Sequence, residues 1–99
     1  MKSYNDFLRE ERRLVILRLL HETSGYAANS SILTSGLAHI GVPTSRDQVH
    51  TELDWLAEQG LITQEDLGIG VRVATITARG GDVAQGLAIV SGVKRPGPR

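Results

Sequence analysis

Apolar positions at Val49, Leu53, Leu56 and Ala57 fall at the i, i+4, i+7, i+8 spacing that lines one face of a helix. The pattern predicts a helix over 45–59. Thr44 is placed to cap it, with Asp47 three residues on in the manner of a capping box, and Gly60 is placed to stop it. The next two runs, 61–63 and 71–77, are rich in β-branched residues and flank the stretch Asp66-Leu67-Gly68-Ile69-Gly70, which reads as a hairpin. Upstream, Ser3 and Asp6 have capping-box spacing at the head of a long helix running to about Ser24. A short helix from Asn29 or Ser30 to Ile40 carries Ile32, Leu33, Leu37 and Ile40 on one face, after a small, polar linker over 26–31. The connection Gly41-Val42-Pro43-Thr44 is short, contains glycine and joins two amphipathic helices, as the turn of a helix-turn-helix must.

Helix, helix, turn, helix and hairpin in that order define a mainly α fold with a β-hairpin, a winged helix-turn-helix: three-helix core, wing and C-terminal helix. Thr77 can cap that last helix, which would run through Arg79, Val83, Ala84, Leu87 and Ile89. Gly80, Gly81 and Gly86 oppose it, each interior glycine costing about 1 kcal/mol relative to alanine. The organisation expected is a winged-helix domain over 1–90 and a basic, Pro/Gly-rich tail over 91–99 that is not helical. Leu14 to Leu20 is apolar apart from Arg18, more than one packing face needs. Leu14, Leu17 and Leu20 are therefore expected at a homodimer interface, although a helix covered on several sides by its own domain would show the same run.

Composition narrows the function. Ninety-nine residues suit one domain, and the absence of cysteine excludes disulfides and thiolate chemistry. No apolar run approaches the roughly 20 residues of a membrane span, and Met-Lys-Ser-Tyr-Asn leads into a charged stretch rather than a secretory signal, so a cytoplasmic setting with no membrane partner is expected. His21, His39 and His50 share no metal-ligand spacing, Gly68-Ile69-Gly70 lacks the strand-then-helix setting of a phosphate loop, and no acid, histidine and nucleophile form a catalytic set. No metal, cofactor or enzymatic activity is expected.

The segments SRDQVHTELDWLAEQGLIT and VATITARGGDVAQG resemble the recognition helix, wing and closing pattern of small bacterial winged-helix proteins of the ArsR and MarR type. YNDFLREERRLVILRLL, WLAEQGL and GVKRPGPR together resemble a family of small proteins encoded in Mu-like prophages. The resemblance covers nearly the whole chain and implies a winged-helix fold in a phage setting. Fold alone does not specify function.

If the helix over 45–59 enters a DNA groove, its first turns carry the readout: Arg46 suits guanine, Gln48 adenine, and Ser45 and Thr51 phosphates or base edges. Phosphate contacts are expected from Arg72 and from the tail residues Lys94, Arg95 and Arg99. Eleven basic residues balance eleven acidic ones, and from Gly41 to Asp66 Arg46 stands alone against Asp47, Glu52, Asp54, Glu58, Glu65 and Asp66. That balance supports a competing reading, a non-catalytic module that docks another phage or host protein through the acidic helix face and Trp55, or that serves phage assembly. Trp55 faces away from the core of the isolated helix, to be covered by the wing, by the first helix, or by a partner.

Overall fold

The computed structural model describes residues 1–97. Helix α1, Tyr4–Glu22, opens on the expected capping box: the Ser3 hydroxyl accepts from the Asp6 amide at 3.1 Å, and the Asp6 carboxylate accepts from the Ser3 amide at 3.4 Å. Leu14, Val15, Ile16 and Leu17 are all buried, as is Leu20. At 100° per residue, four consecutive buried positions sweep about 300° of the helix, so α1 is enclosed on nearly every side. Its neighbours are the other helices and the central strand of the sheet. The expected dimer interface at Leu14, Leu17 and Leu20 is thereby corrected: exposed by 1% or less, these side chains are spent in the core of one chain and offer nothing to a second copy.

A single 3-10 turn over 24–26 leads to strand β1, Ala27–Asn29, and then to α2, Ser30–Ile40, capped by the Asn29 side chain. The linker expected over 26–31 is thus partly a strand. Three small or polar residues carry no alternating pattern, and β1 forms because the open edge of a later strand offers its backbone a partner. Of the apolar face of α2 only Leu33 and Leu37 are buried, with Ser30 buried at the start of the helix; Ile32 and Ile40, expected beside them, are 61% and 52% exposed. Gly41 ends α2 in the left-handed conformation, φ 95°, and Val42 donates back to the Leu37 carbonyl.

Helix α3, Arg46–Glu58, is capped by Ser45 rather than Thr44: the Ser45 hydroxyl accepts from the Gln48 amide at 3.1 Å, while the Thr44 hydroxyl donates to the Val42 carbonyl within the turn. Val49, Leu53 and Leu56 are fully buried, as the periodicity requires. The wing follows as strands β2, Ile62–Asp66, and β3, Arg72–Ile76. Its turn is closed by Leu67 N–H to the Val71 carbonyl and by the Gly68 amide donating to Asp66. The sheet is antiparallel in the order β1-β3-β2, with Ala28 opposite Ala74 and Gln64 opposite Ala74 from the other side.

Helix α4, Ala78–Gln85, has the expected Thr77 cap and ends at Gly86, so Leu87 and Ile89 lie beyond it and are exposed. Gly80 is structural. A Cβ on Gly80 would stand 2.0 Å from the Leu61 carbonyl oxygen and 2.8 Å from the Ile76 side chain. The lost side chain lets the helix backbone lie directly on the start of the wing. Over its described residues, 91–97, the basic tail carries no helix, as expected, and its start packs back along α1: Val93 joins the core, the Lys94 amide donates to the Glu10 carbonyl, and Arg13 donates to the Gly92 carbonyl. Packing therefore continues past the expected boundary at residue 90. Arg99 lies outside the described residues.

Candidate nucleic-acid interface

The turn over 41–45 sets α3 against α2 and leaves the first turn of α3 open to solvent. Ser45, Arg46, Asp47 and Thr51 are exposed there. Arg46 makes no ion pair among the described residues, so its guanidinium is free to reach a ligand. The Ser45 oxygen is engaged as the cap, and the Thr51 hydroxyl donates to the Asp47 carbonyl at 3.2 Å. Gln48 is turned inward: its amide donates to Glu52 at 2.9 Å, which takes it away from the adenine-reading position expected of it.

Glu52, which the sequence reading counted only as surface charge, is fully buried. One carboxylate oxygen accepts from Arg13 at 2.9 Å, and the other accepts from Gln48 and stands 3.8 Å from Arg12. A buried carboxylate must be paired and hydrogen-bonded to be tolerated, and these partners supply both. The signal was available: Glu52 lies three residues after Val49 and four before Leu56, on the core stripe, and Arg12-Arg13 offers two cations on a neighbouring helix. Arg13 also stacks on Trp55, 3.8 Å from the ring centroid, and Gly92 lies against the far edge of the indole. Of the covers expected for Trp55, the first helix is the one found, together with the C-terminal segment.

Arg72 is likewise committed. Its guanidinium pairs with Asp54 at 2.6 Å, and Gln64 donates to the same carboxylate oxygen at 2.7 Å, so α3 and the wing are joined by a neutralised cluster. Lys94 pairs with Glu11 at 2.9 Å, and Arg95 is exposed beside it. Both sit with the start of α1, lining a groove with Lys2, Phe7 and Glu10, whereas Arg72 sits on α3 and the wing. The seven candidate residues therefore divide into Ser45, Arg46, Gln48, Thr51 and Arg72 around α3, and Lys94 and Arg95 at α1.

Ion pairing also changes the charge of the α3 face. Glu52 is buried with arginines and Asp54 is matched by Arg72, which leaves Asp47 and Glu58 as its unpaired carboxylates among the described residues, with Arg46 opposing them. No cluster of three or more potential metal ligands occurs among the described residues, and no helix among them is long and apolar enough to cross a membrane.

A helix-turn-helix followed by a two-stranded wing and a closing helix is a winged helix. Solved structures of the hsRosR-S1 and hsRosR-S4 complexes share it: TM-scores are 0.61 and 0.62 at 20% and 19% identity, covering 74% and 79% of this chain and 63% and 71% of theirs. No family model matches the sequence. The chain is 55% identical over 95 residues to the uncharacterized protein gp26 of Escherichia phage Mu, covering 96% of this chain and 97% of that one, and it belongs to the same family. An uncharacterized protein of Haemophilus influenzae (strain Rd) is 49% identical over 77 residues, 78% of this chain and 74% of its own.

Proposed function

We propose that this chain is a phage-derived DNA-binding protein that inserts the first turn of α3 into the major groove and acts on transcription. The observation that carries the reading is Arg46: a guanidinium without an ion-pair partner among the described residues, at the start of the second helix of a helix-turn-helix, where such helices meet base edges. Neutralisation of Asp54 by Arg72 and burial of Glu52 remove two of the charges that would repel phosphates. Ser45 and Thr51 are exposed at the cap and second turn of the same helix, where they add phosphate contacts to that of Arg46. Arg72 acts as a neutraliser of Asp54, and Lys94 and Arg95 serve only a duplex long enough to reach the start of α1.

The competing docking module loses Trp55, which is covered, but keeps Asp47, Glu58, Glu65 and Asp66 as a free acidic surface. Selection from random oligonucleotides at low salt separates the readings. Wild type is expected to enrich a motif containing guanine, and Arg46→Ala to bind it about 5 to 150 times more weakly, the equivalent of one bidentate contact of roughly 1–3 kcal/mol. A folded wild type that enriches no sequence rejects DNA recognition and favours the acidic docking surface.

A further inference from the structure

Among the exposed apolar residues that lie outside the α3 face, two groups stand beside charged side chains. One is the wing turn, where Leu67 and Ile69 are 47% and 75% exposed beside Glu65 and Asp66, with no cation between Gln59 and Val71. The turn is held by its own hydrogen bonds, so these side chains are presented outward on a fixed support. The other is an open groove of about 400 Å³ between the start of α1 and the segment after α4. Phe7 and Ile89 line it and are 53% and 64% exposed, and its rim carries Lys2, paired with Glu10, Lys94, paired with Glu11, and Arg95, which makes no ion pair among the described residues. Both features are open in the same chain, so they do not satisfy each other within it.

We propose that the wing turn of one chain seats in this groove of a second copy, giving a head-to-tail assembly independent of DNA binding by α3. Leu67 and Ile69 fill the apolar floor over Phe7 and Ile89, and Glu65 and Asp66 meet the unpaired Arg95 beside the ion-paired Lys2 and Lys94. Charge selects this pairing over the symmetric ones. Groove against groove sets one unpaired Arg95 facing another, and wing against wing sets carboxylates facing carboxylates. Only the unlike pair joins opposite charges as well as apolar surface. Because the two patches differ, the contact is heterologous: it closes into a ring or continues as an open chain, depending on the rotation between copies. The wing turn has no cation to offer a phosphate, so this role does not compete with one in DNA binding.

Sedimentation with two exposed-site variants tests it. Leu67→Ser/Ile69→Ser removes the knob and leaves the groove, and Phe7→Ser/Ile89→Ser removes the floor and leaves the knob. Wild type is expected to gain average mass with concentration, each variant alone to associate about 10- to 100-fold more weakly, and an equal mixture to form a 1:1 dimer through its one intact contact. Formation of that dimer also shows that both variants are folded. Raising salt is expected to weaken association. The proposal is overturned if wild type stays monomeric up to about 1 mM, if the wing variant assembles as wild type does, or if the mixture forms no dimer.

Discussion

Adjacent glycines in α4 should respond to the same substitution with opposite signs. A Cβ at Gly80 would stand 2.0 Å from the Leu61 carbonyl oxygen. Ordinary carbon–oxygen contact is about 3.3 Å, so α4 must retreat by roughly 1.3 Å to accept alanine. The same carbonyl accepts a hydrogen bond from Thr77, and Val83 and Ala84 carry the helix into the core, so a retreat strains both. Overpacking costs about 1–3 kcal/mol, with the overlap here placing it near the top, and a weakened hydrogen bond adds about 1 kcal/mol. The helix-propensity gain of alanine returns about 1 kcal/mol. Gly80→Ala should therefore destabilise by about 2–3 kcal/mol. At Gly81 the nearest atom to a new Cβ is in the His21 ring, at 3.4 Å, so the propensity gain is nearly unopposed and Gly81→Ala should stabilise by up to about 1 kcal/mol. Urea unfolding reads both: at a slope of about 1.5 kcal/mol/M, Gly80→Ala lowers the midpoint by roughly 1–2 M and Gly81→Ala leaves it unchanged or raises it. If Gly80→Ala unfolds at the wild-type midpoint, or the two variants shift together, the close approach of α4 to the wing is not what makes residue 80 a glycine.

Two further outcomes follow from the charge clusters. Glu52→Gln leaves Arg12 and Arg13 without their counter-charge and should destabilise by about 3 kcal/mol, the lower end of the range for a broken buried pair because both arginines retain some access to water; denaturant unfolding measures this, and tryptophan fluorescence should report release of Arg13 from Trp55. Arg72→Ala should change stability by no more than about 1 kcal/mol, since Asp54 is half exposed, yet weaken DNA binding by unmasking that carboxylate; adding Asp54→Asn should restore binding, and failure to restore it in an anisotropy titration would reject the neutralising role.

The elements legible in the sequence were those specified locally. Capping residues and 3.6-residue periodicity located α1, α2 and α3, and Thr77 located the start of α4, because the groups that decide a helix end lie within four residues of it. Thr44 and Ser45 are both good caps in adjacent positions, so the onset of α3 was displaced by one residue. What stayed hidden was set by distant partners. Three residues at 27–29 become a strand only because β3 lies beside them. The apolar excess from Leu14 to Leu20 reads equally as a surface for a second copy or as a helix wrapped by its own domain, and only the path of the whole chain decides between them. At the candidate interface, the exposure of Arg46 was legible from its position, but the fates of Gln48 and Arg72 depend on Glu52 being buried and on Asp54 facing the wing.

An amide chemical-shift titration of the isotope-labelled protein with duplex DNA at low salt tests whether the first turn of α3 meets DNA. Shifts are expected to concentrate in residues 41–51, with Arg46 the largest and with weaker effects at Arg72 and Asp54. Absence of shifts, or shifts confined to residues 2–11 and 89–95, would contradict that contact.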